Sequence, residues 1–125
     1  GRAVLIFSGL LQKRYPRDTF IAHIGGDDFF VGLRNHEFNE VFNLSFEVQN
    51  EFRNTAENIY SKKDKENGFI TSKDRFNMER RFDLLSVSSA IIEINSKSNI
   101  SNFDNTLNIL KKASKGSTEP MYRVL

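Results

Sequence analysis

Apolar residues at Val4, Phe7, Leu10 and Leu11, spaced by three and four, predict a helix over 2–15. Gln12, Lys13 and Arg14 close it with cations near its negative pole, and Pro16 stops it. The pattern then changes to two short β-type runs, Phe20–Ile24 and Phe29–Leu33, flanking Gly25-Gly26. Gly-Gly between apolar runs predicts a hairpin, because tight turns need positive φ, which glycine reaches without steric cost. From His36 to about Ser61 the residues Phe38, Val41, Phe42, Phe46, Val48, Phe52, Ala56, Ile59 and Tyr60 recur near the helical period, with Asn35 as the expected N-cap. This is the longest predicted element, and its phenylalanine stripe reads as a core-facing surface.

The charged run Lys62–Glu66 is expected to be a solvated face that ends at Asn67-Gly68, a helix exit. Phe69-Ile70-Thr71 reads as a short strand or an extended lead-in, and Ser72–Arg81 as a loop or short helical turn. Leu84–Ile94, rich in Val and Ile, is expected to be a strand with Leu85, Val87 and Ile91 on one face. Asn95–Asn99 is a polar loop. Ser101-Asn102-Phe103-Asp104 has the Ser-x-x-acid form of a helix start. Phe103, Leu107, Leu110 and Ala113 then make one helix face, Lys111, Lys112 and Lys115 favour its end, and Gly116 stops it. Met121–Leu125 is a terminal strand or a tail. The order predicts a mixed α/β fold in which at least part of the sheet is antiparallel.

The 125 residues suffice for one modest domain. With 38% hydrophobic residues, 12 of them Phe, the chain can build a core, which argues against wholesale disorder. A net charge of +2 with interspersed signs argues against a dedicated nucleic-acid binder. There is no Cys, which excludes disulfides and thiolate metal sites. No apolar run approaches the roughly 20 residues of a membrane span. The first residues already resemble a helix interior, so the chain is expected to be a piece of a larger protein.

The residues with chemistry to offer sit at the hairpin. Asp27 and Asp28 come off the turn together and present anionic oxygens of the kind Mg²⁺ prefers, often alongside substrate phosphates. Adjacent strand residues point to opposite faces, so only one of them is expected to face a given site squarely. On spacing alone they read as a solvated turn. His23, without a second histidine nearby, reads as a hydrogen-bonded or partly exposed strand residue, and the arginines of 72–81 as surface solvation.

The surrounding residues change that reading. Ile24-Gly25-Gly26-Asp27-Asp28-Phe29 resembles the signature hairpin of the GGDEF family, the diguanylate cyclases of bacterial cyclic di-GMP signalling. The run Arg17–His23 resembles the approach to that motif, and Asp83-Leu84-Leu85-Ser86-Val87-Ser88 resembles the family's later Ser-Val-Ser-Ile-Gly strand, with Ser89-Ala90 in place of Ile-Gly. The His23-Ile24-Gly25-Gly26-Asp27-Asp28-Phe29 form, with Asp74-Arg75 ahead of that strand, is most similar to GGDEF domains that end proteins also carrying EAL phosphodiesterase and CBS modules. The resemblance covers 1–125 as a single partial domain. It implies a nucleotide-cyclase-like, ferredoxin-like sheet with flanking helices, its first strand missing from this chain, and a cytoplasmic location.

It also implies GTP or cyclic di-GMP as ligand, Mg²⁺ as cofactor and a homodimer of two half-sites, with association through the missing-strand position. Gly25 and Gly26 would let the backbone approach the nucleotide. Asp27 matches the acid tied to metal binding and 3′-hydroxyl activation, and Asp28 matches the second acid, where the family most often has Glu. Pro16 and Thr19 stand where the family's inhibitory Arg and Asp fall, and Lys115-Gly116-Ser117 echoes only part of its terminal Lys-x-x-Gly-Arg-Asn pattern. The family's other metal-binding Asp and its guanine-recognising residues fall before residue 1. Three readings result: a domain whose parent makes cyclic di-GMP, a degenerate domain that binds GTP or partners and regulates an attached phosphodiesterase, or a plain α/β interaction module.

Overall fold

Arg2–Arg14 forms α1 in a computed structural model that describes residues 2–125. Its Ala3, Ile6, Phe7, Leu10 and Leu11 form one face by three- and four-residue spacing. That face meets Val48, Phe52 and Ala56 of α2 (Phe38–Glu57) on one side and Ile21, Phe29 and Val31 of the hairpin β1 (Phe20–Gly25) and β2 (Asp28–Gly32) on the other. Phe7 belongs to both halves of this core. It packs edge-on against Phe29 at 5.1 Å and Phe52 at 5.5 Å, the arrangement that ring quadrupoles favour. Helix and hairpin are therefore locked together by one aromatic residue.

α2 is shorter than its periodicity predicts. It stops at Glu57, and Asn58 caps it with its amide shared between Thr55 and Ala56 carbonyls. Ile59 lies beyond the helix, exposed. Asn35 is not the N-cap: it sits at φ 60, whereas a cap needs extended backbone, and Glu37 fills that place without a side-chain bond. A second stripe on α2 carries Phe38, Phe42 and Phe46, and the first two pack against Tyr122 at 4.8 and 6.1 Å. The phenylalanine stripe thus serves packing, as expected.

Lys62–Asn67 forms a separate short helix, α3, begun by the Ser61 hydroxyl accepting from the Asp64 amide and ended by Gly68 at φ 77. None of its residues is buried, in accord with a solvated face. The expected loop over 72–81 is instead half of an antiparallel hairpin, β3 (Phe69–Lys73) with β4 (Glu79–Asp83). Its charged residues hid it, because both of its faces are wet and no apolar alternation is needed. The opposite error occurs next. Only Ala90–Glu93 of the predicted 84–94 strand becomes ladder (β5), since it finds a partner only in β6 (Met121–Val124), four residues long and parallel to it.

α4 (Phe103–Ser114) packs on β5 and β6 with Leu110 and Ser114 buried. Ala113 is exposed, one position off the expected face. Its start is a 3₁₀ turn over Ile100–Asn102 capped by the Asn99 side chain, which accepts from both the amide and the hydroxyl of Ser101. Gly116 at φ 76 ends it. The fold is mixed α/β, with two antiparallel pairs and one parallel pair flanked by helices. Among the described residues the pairs are separate, and no ladder joins them into one sheet. No described helix is long and apolar enough to cross a membrane.

Candidate functional site

The β1–β2 ladder runs in register from Phe20–Gly32 to His23–Phe29 and then slips, so that Ile24 is an extra residue and Gly25 pairs with Asp28. This bulge moves the turn one residue along the chain. Its central residues are Gly26 and Asp27, not the Gly-Gly pair. Gly26 takes φ 53 at the first central position, and Gly25 before it takes φ 134, a region essentially closed to other residues. Both glycines are needed for conformation. No atom beyond the chain neighbours lies within 4 Å of a Cβ built on either, so space is not the reason.

His23 holds the turn from below. Its ring stacks on Phe29 at 4.6 Å and 11°, and its Nε2 donates to the Gly26 carbonyl at 2.8 Å. Exposed and hydrogen-bonded, it plays the structural part expected of it. Asp27 lies in the turn itself and Asp28 opens β2, both exposed. The Asp28 carboxylate accepts from Lys111 Nζ at 3.4 Å, which brings the last turn of α4 to the hairpin tip. Asp28 thus meets a cation, while Asp27 stands free of any salt bridge among the described residues. The arrangement presents an exposed carboxylate, a positive-φ glycine backbone and an ammonium group at the hairpin tip.

Lys111 is the functional candidate that sequence reasoning missed. The helix-pole argument explained its charge completely, and nothing in the spacing links it to a residue 83 positions away. The residues present do not by themselves fit Mg²⁺. Among the described residues no three His, Asp or Glu side chains converge, and one of the hairpin's two carboxylates is already paired. A hard octahedral ion would need most of its oxygens from elsewhere. An open concavity of about 570 Å³ lies on another surface, between Arg14 and the polar face of α2 at Glu47, Asn50, Glu51 and Asn54, and no hairpin residue lines it. There Glu51 pairs with Arg14 and, at 3.5 Å, Lys13, and the guanidinium holds the Glu51 carboxyl below the usual carboxylate range. That pair fastens the two helices and offers no reactive group.

No family model, curated protein or solved structure matches the chain. The site's geometry and the hairpin sequence therefore carry the functional argument.

Proposed function

We propose that the chain is a GGDEF-type domain of a bacterial cyclic di-GMP signalling protein, related to the diguanylate cyclases that condense two GTP, and that its hairpin takes a guanosine nucleotide. The observation that carries the reading is the Gly25-Gly26-Asp27-Asp28 turn with Lys111 held against it. Positive-φ glycines leave backbone open to close approach, and an ammonium beside them suits a phosphate. The separation of β1–β2 from β5–β6 supports a nucleotide-cyclase-like sheet lacking one intervening strand. On this reading Lys111 leaves Asp28 for the nucleotide's phosphate oxygens. Asp27 would be the acid beside the ribose hydroxyl, and a Mg²⁺ there would take most of its oxygens from the triphosphate. The partners would be GTP or cyclic di-GMP, a second copy, and attached EAL and CBS modules.

The Asp28–Lys111 pair also favours a second reading, in which the domain binds nucleotide or partners and regulates an attached EAL phosphodiesterase without synthesis. With the second acid, Asp28, neutralised by its own chain and no third acid nearby, the hairpin offers few oxygens to a metal that synthesis would need. Incubating the full-length parent with GTP and Mg²⁺ and measuring cyclic di-GMP separates the two. Calorimetric titration of the same protein with GTP and with cyclic di-GMP tests both. Binding that falls at least tenfold in Lys111→Ala supports nucleotide recognition at the hairpin, and no binding of either ligand overturns it.

A further inference from the structure

The β3–β4 hairpin projects from the body as an arm. Its only substantial packing partner among the described elements is α3, which is itself fully solvated on both ends. Every residue of β4 is exposed, and so are the last three of β3. An arm so placed should fray, yet its tip is tightly built. The Asp74 carboxylate accepts from the amides of Phe76 at 2.9 Å and Met78 at 3.0 Å and from Arg80 Nε at 2.9 Å. The Asp74 amide donates to Met78 at 2.9 Å, the Asn77 amide donates back to Asp74 at 3.0 Å, and Asn77 takes φ 61. One side chain thus organises the whole five-residue turn.

What this turn holds outward is apolar. Phe76 is 71% and Met78 59% exposed, with the Arg75 guanidinium 5.2 Å over the Phe76 ring. Fixing two large apolar side chains in water has no value to the isolated chain, and a rigid aromatic anchor beside an Arg is the composition of an interface centre. The charge around it is positive. Lys73, Arg75, Arg80 and Arg81 stand against Asp74 and Glu79, and among the described residues only Arg80 of those cations has an acid within salt-bridge distance.

A surface of matching chemistry lies on the same chain. The outer face of β1–β2 carries Phe20 and Phe30, both exposed and in ring contact at 6.2 Å, with exposed Ile24 at the adjoining bulge. No element covers this face, because α1 and α2 use only the Ile21, Phe29 and Val31 side. At the tip of the same hairpin Asp27 is exposed and has no cation within salt-bridge distance among the described residues, whereas Asp28 is already paired with Lys111. An apolar arm carrying the unpaired Arg75 and an apolar face ending at the unpaired Asp27 are complementary in both respects.

We propose that the occupant of each is a second copy of this chain: the arm of one protomer seats Phe76 and Met78 on the Phe20–Phe30 face of its partner and brings Arg75 to Asp27. Done reciprocally about a two-fold axis, the exchange closes as a dimer and does not propagate. It places a basic residue from each copy at the other's hairpin. The contact needs no nucleotide, so it stands or falls separately from the functional reading above.

Sedimentation velocity over a concentration series of the 125-residue chain tests it. The wild type is expected to show a concentration-dependent dimer, and Phe76→Asp is expected to weaken it at least tenfold. Phe76 touches nothing in the core, so an unchanged far-ultraviolet circular dichroism spectrum should accompany that loss. Arg75→Glu and Asp27→Arg should each weaken the dimer, and the two combined should restore it, which a nonspecific hydrophobic contact would not do. A wild type that stays monomeric at all concentrations overturns the proposal, as does a dimer indifferent to Phe76→Asp. Monomeric wild type that instead co-sediments with phosphatidylcholine–phosphatidylserine vesicles through Phe76 overturns it in favour of a lipid surface.

Discussion

Leu11→Ala is the perturbation that tests whether the hairpin is held by the small core beneath it. Leu11 is 2% exposed and clusters with Tyr15 and Val48, and Phe7, Ile21, Phe29 and Val31 pack against that cluster, so it lies in the core that supports β1–β2. Truncation removes three carbon atoms, about 2.4 kcal/mol of transfer free energy at roughly 0.8 per methylene. The residual cavity raises the expected cost to about 3 kcal/mol, within the usual ~2–5 range. Helix propensity cannot produce this loss, because Ala is the better helix former. A chain of this size has about 6–19 kcal/mol of stability. Seven apolar side chains are buried among the described residues, which puts this chain toward the lower end, so the substitution removes a large share. In urea the midpoint should fall by about 1–3 M at an unchanged slope of ~1–3 kcal/mol per M. Leu5→Ala, on the same helix but 74% exposed, should shift stability by no more than ~0.5 kcal/mol. A cost below about 1 kcal/mol for Leu11→Ala, or one no larger than for Leu5→Ala, would refute the assignment of this core.

Gly25→Ala should destabilise the hairpin by about 1–3 kcal/mol in chemical denaturation, because φ 134 is strained for any side chain even where space is free. A neutral result would mean that the turn has relaxed. Asp74 is held below the ordinary aspartate range by its bond to Arg80 and then by the Met78 and Phe76 amides. Its contribution is therefore present above the unfolded value and is lost as pH falls through the lower folded one. Below about pH 4 the arm should open before the core does, seen as faster exchange of the Phe76 and Met78 amides, and Asp74→Ala should open it at pH 7. Burial raises the Tyr15 phenol above its usual value, so stability is intact below pH 10 and declines as pH rises through the folded value. Ultraviolet titration should show a late component that Tyr15→Phe abolishes.

The parts of the fold legible in the sequence are those in which one face is dry. α1 and the β1–β2 hairpin follow their apolar spacing because Leu10, Leu11, Ile21 and Val31 have a core to face. Phe69-Ile70-Thr71 showed the start of β3, but β4 was illegible for the converse reason: with both faces in water, Arg80 and Arg81 are as acceptable as Val, and the turn chemistry at Asp74 is the only local sign. Residues 84–89 show the third case, strand propensity without a strand beside it to complete the ladder. Within the site, the glycines and the paired acids could be read directly. Lys111 could not, because its role comes from where α4 docks and not from its neighbours in sequence.

The hairpin tip thus joins two kinds of information that reach it by different routes. Its shape is local: the bulge at Ile24, two positive-φ glycines and His23 propping Gly26 involve only residues of the hairpin itself. Its charge is not local. Lys111 neutralises Asp28 across the fold, while Asp27 is left exposed and without a cation among the described residues. At such exposure the Asp28–Lys111 pair is worth little to stability, so the domain loses almost nothing when Lys111 turns to another anion. An ion pair that is cheap to break, at a turn that is rigid by conformation, is suited to exchange one partner for another. A buried pair would have resisted that exchange. On the proposed reading, the weakness of this contact is what would let Lys111 exchange Asp28 for an arriving anion.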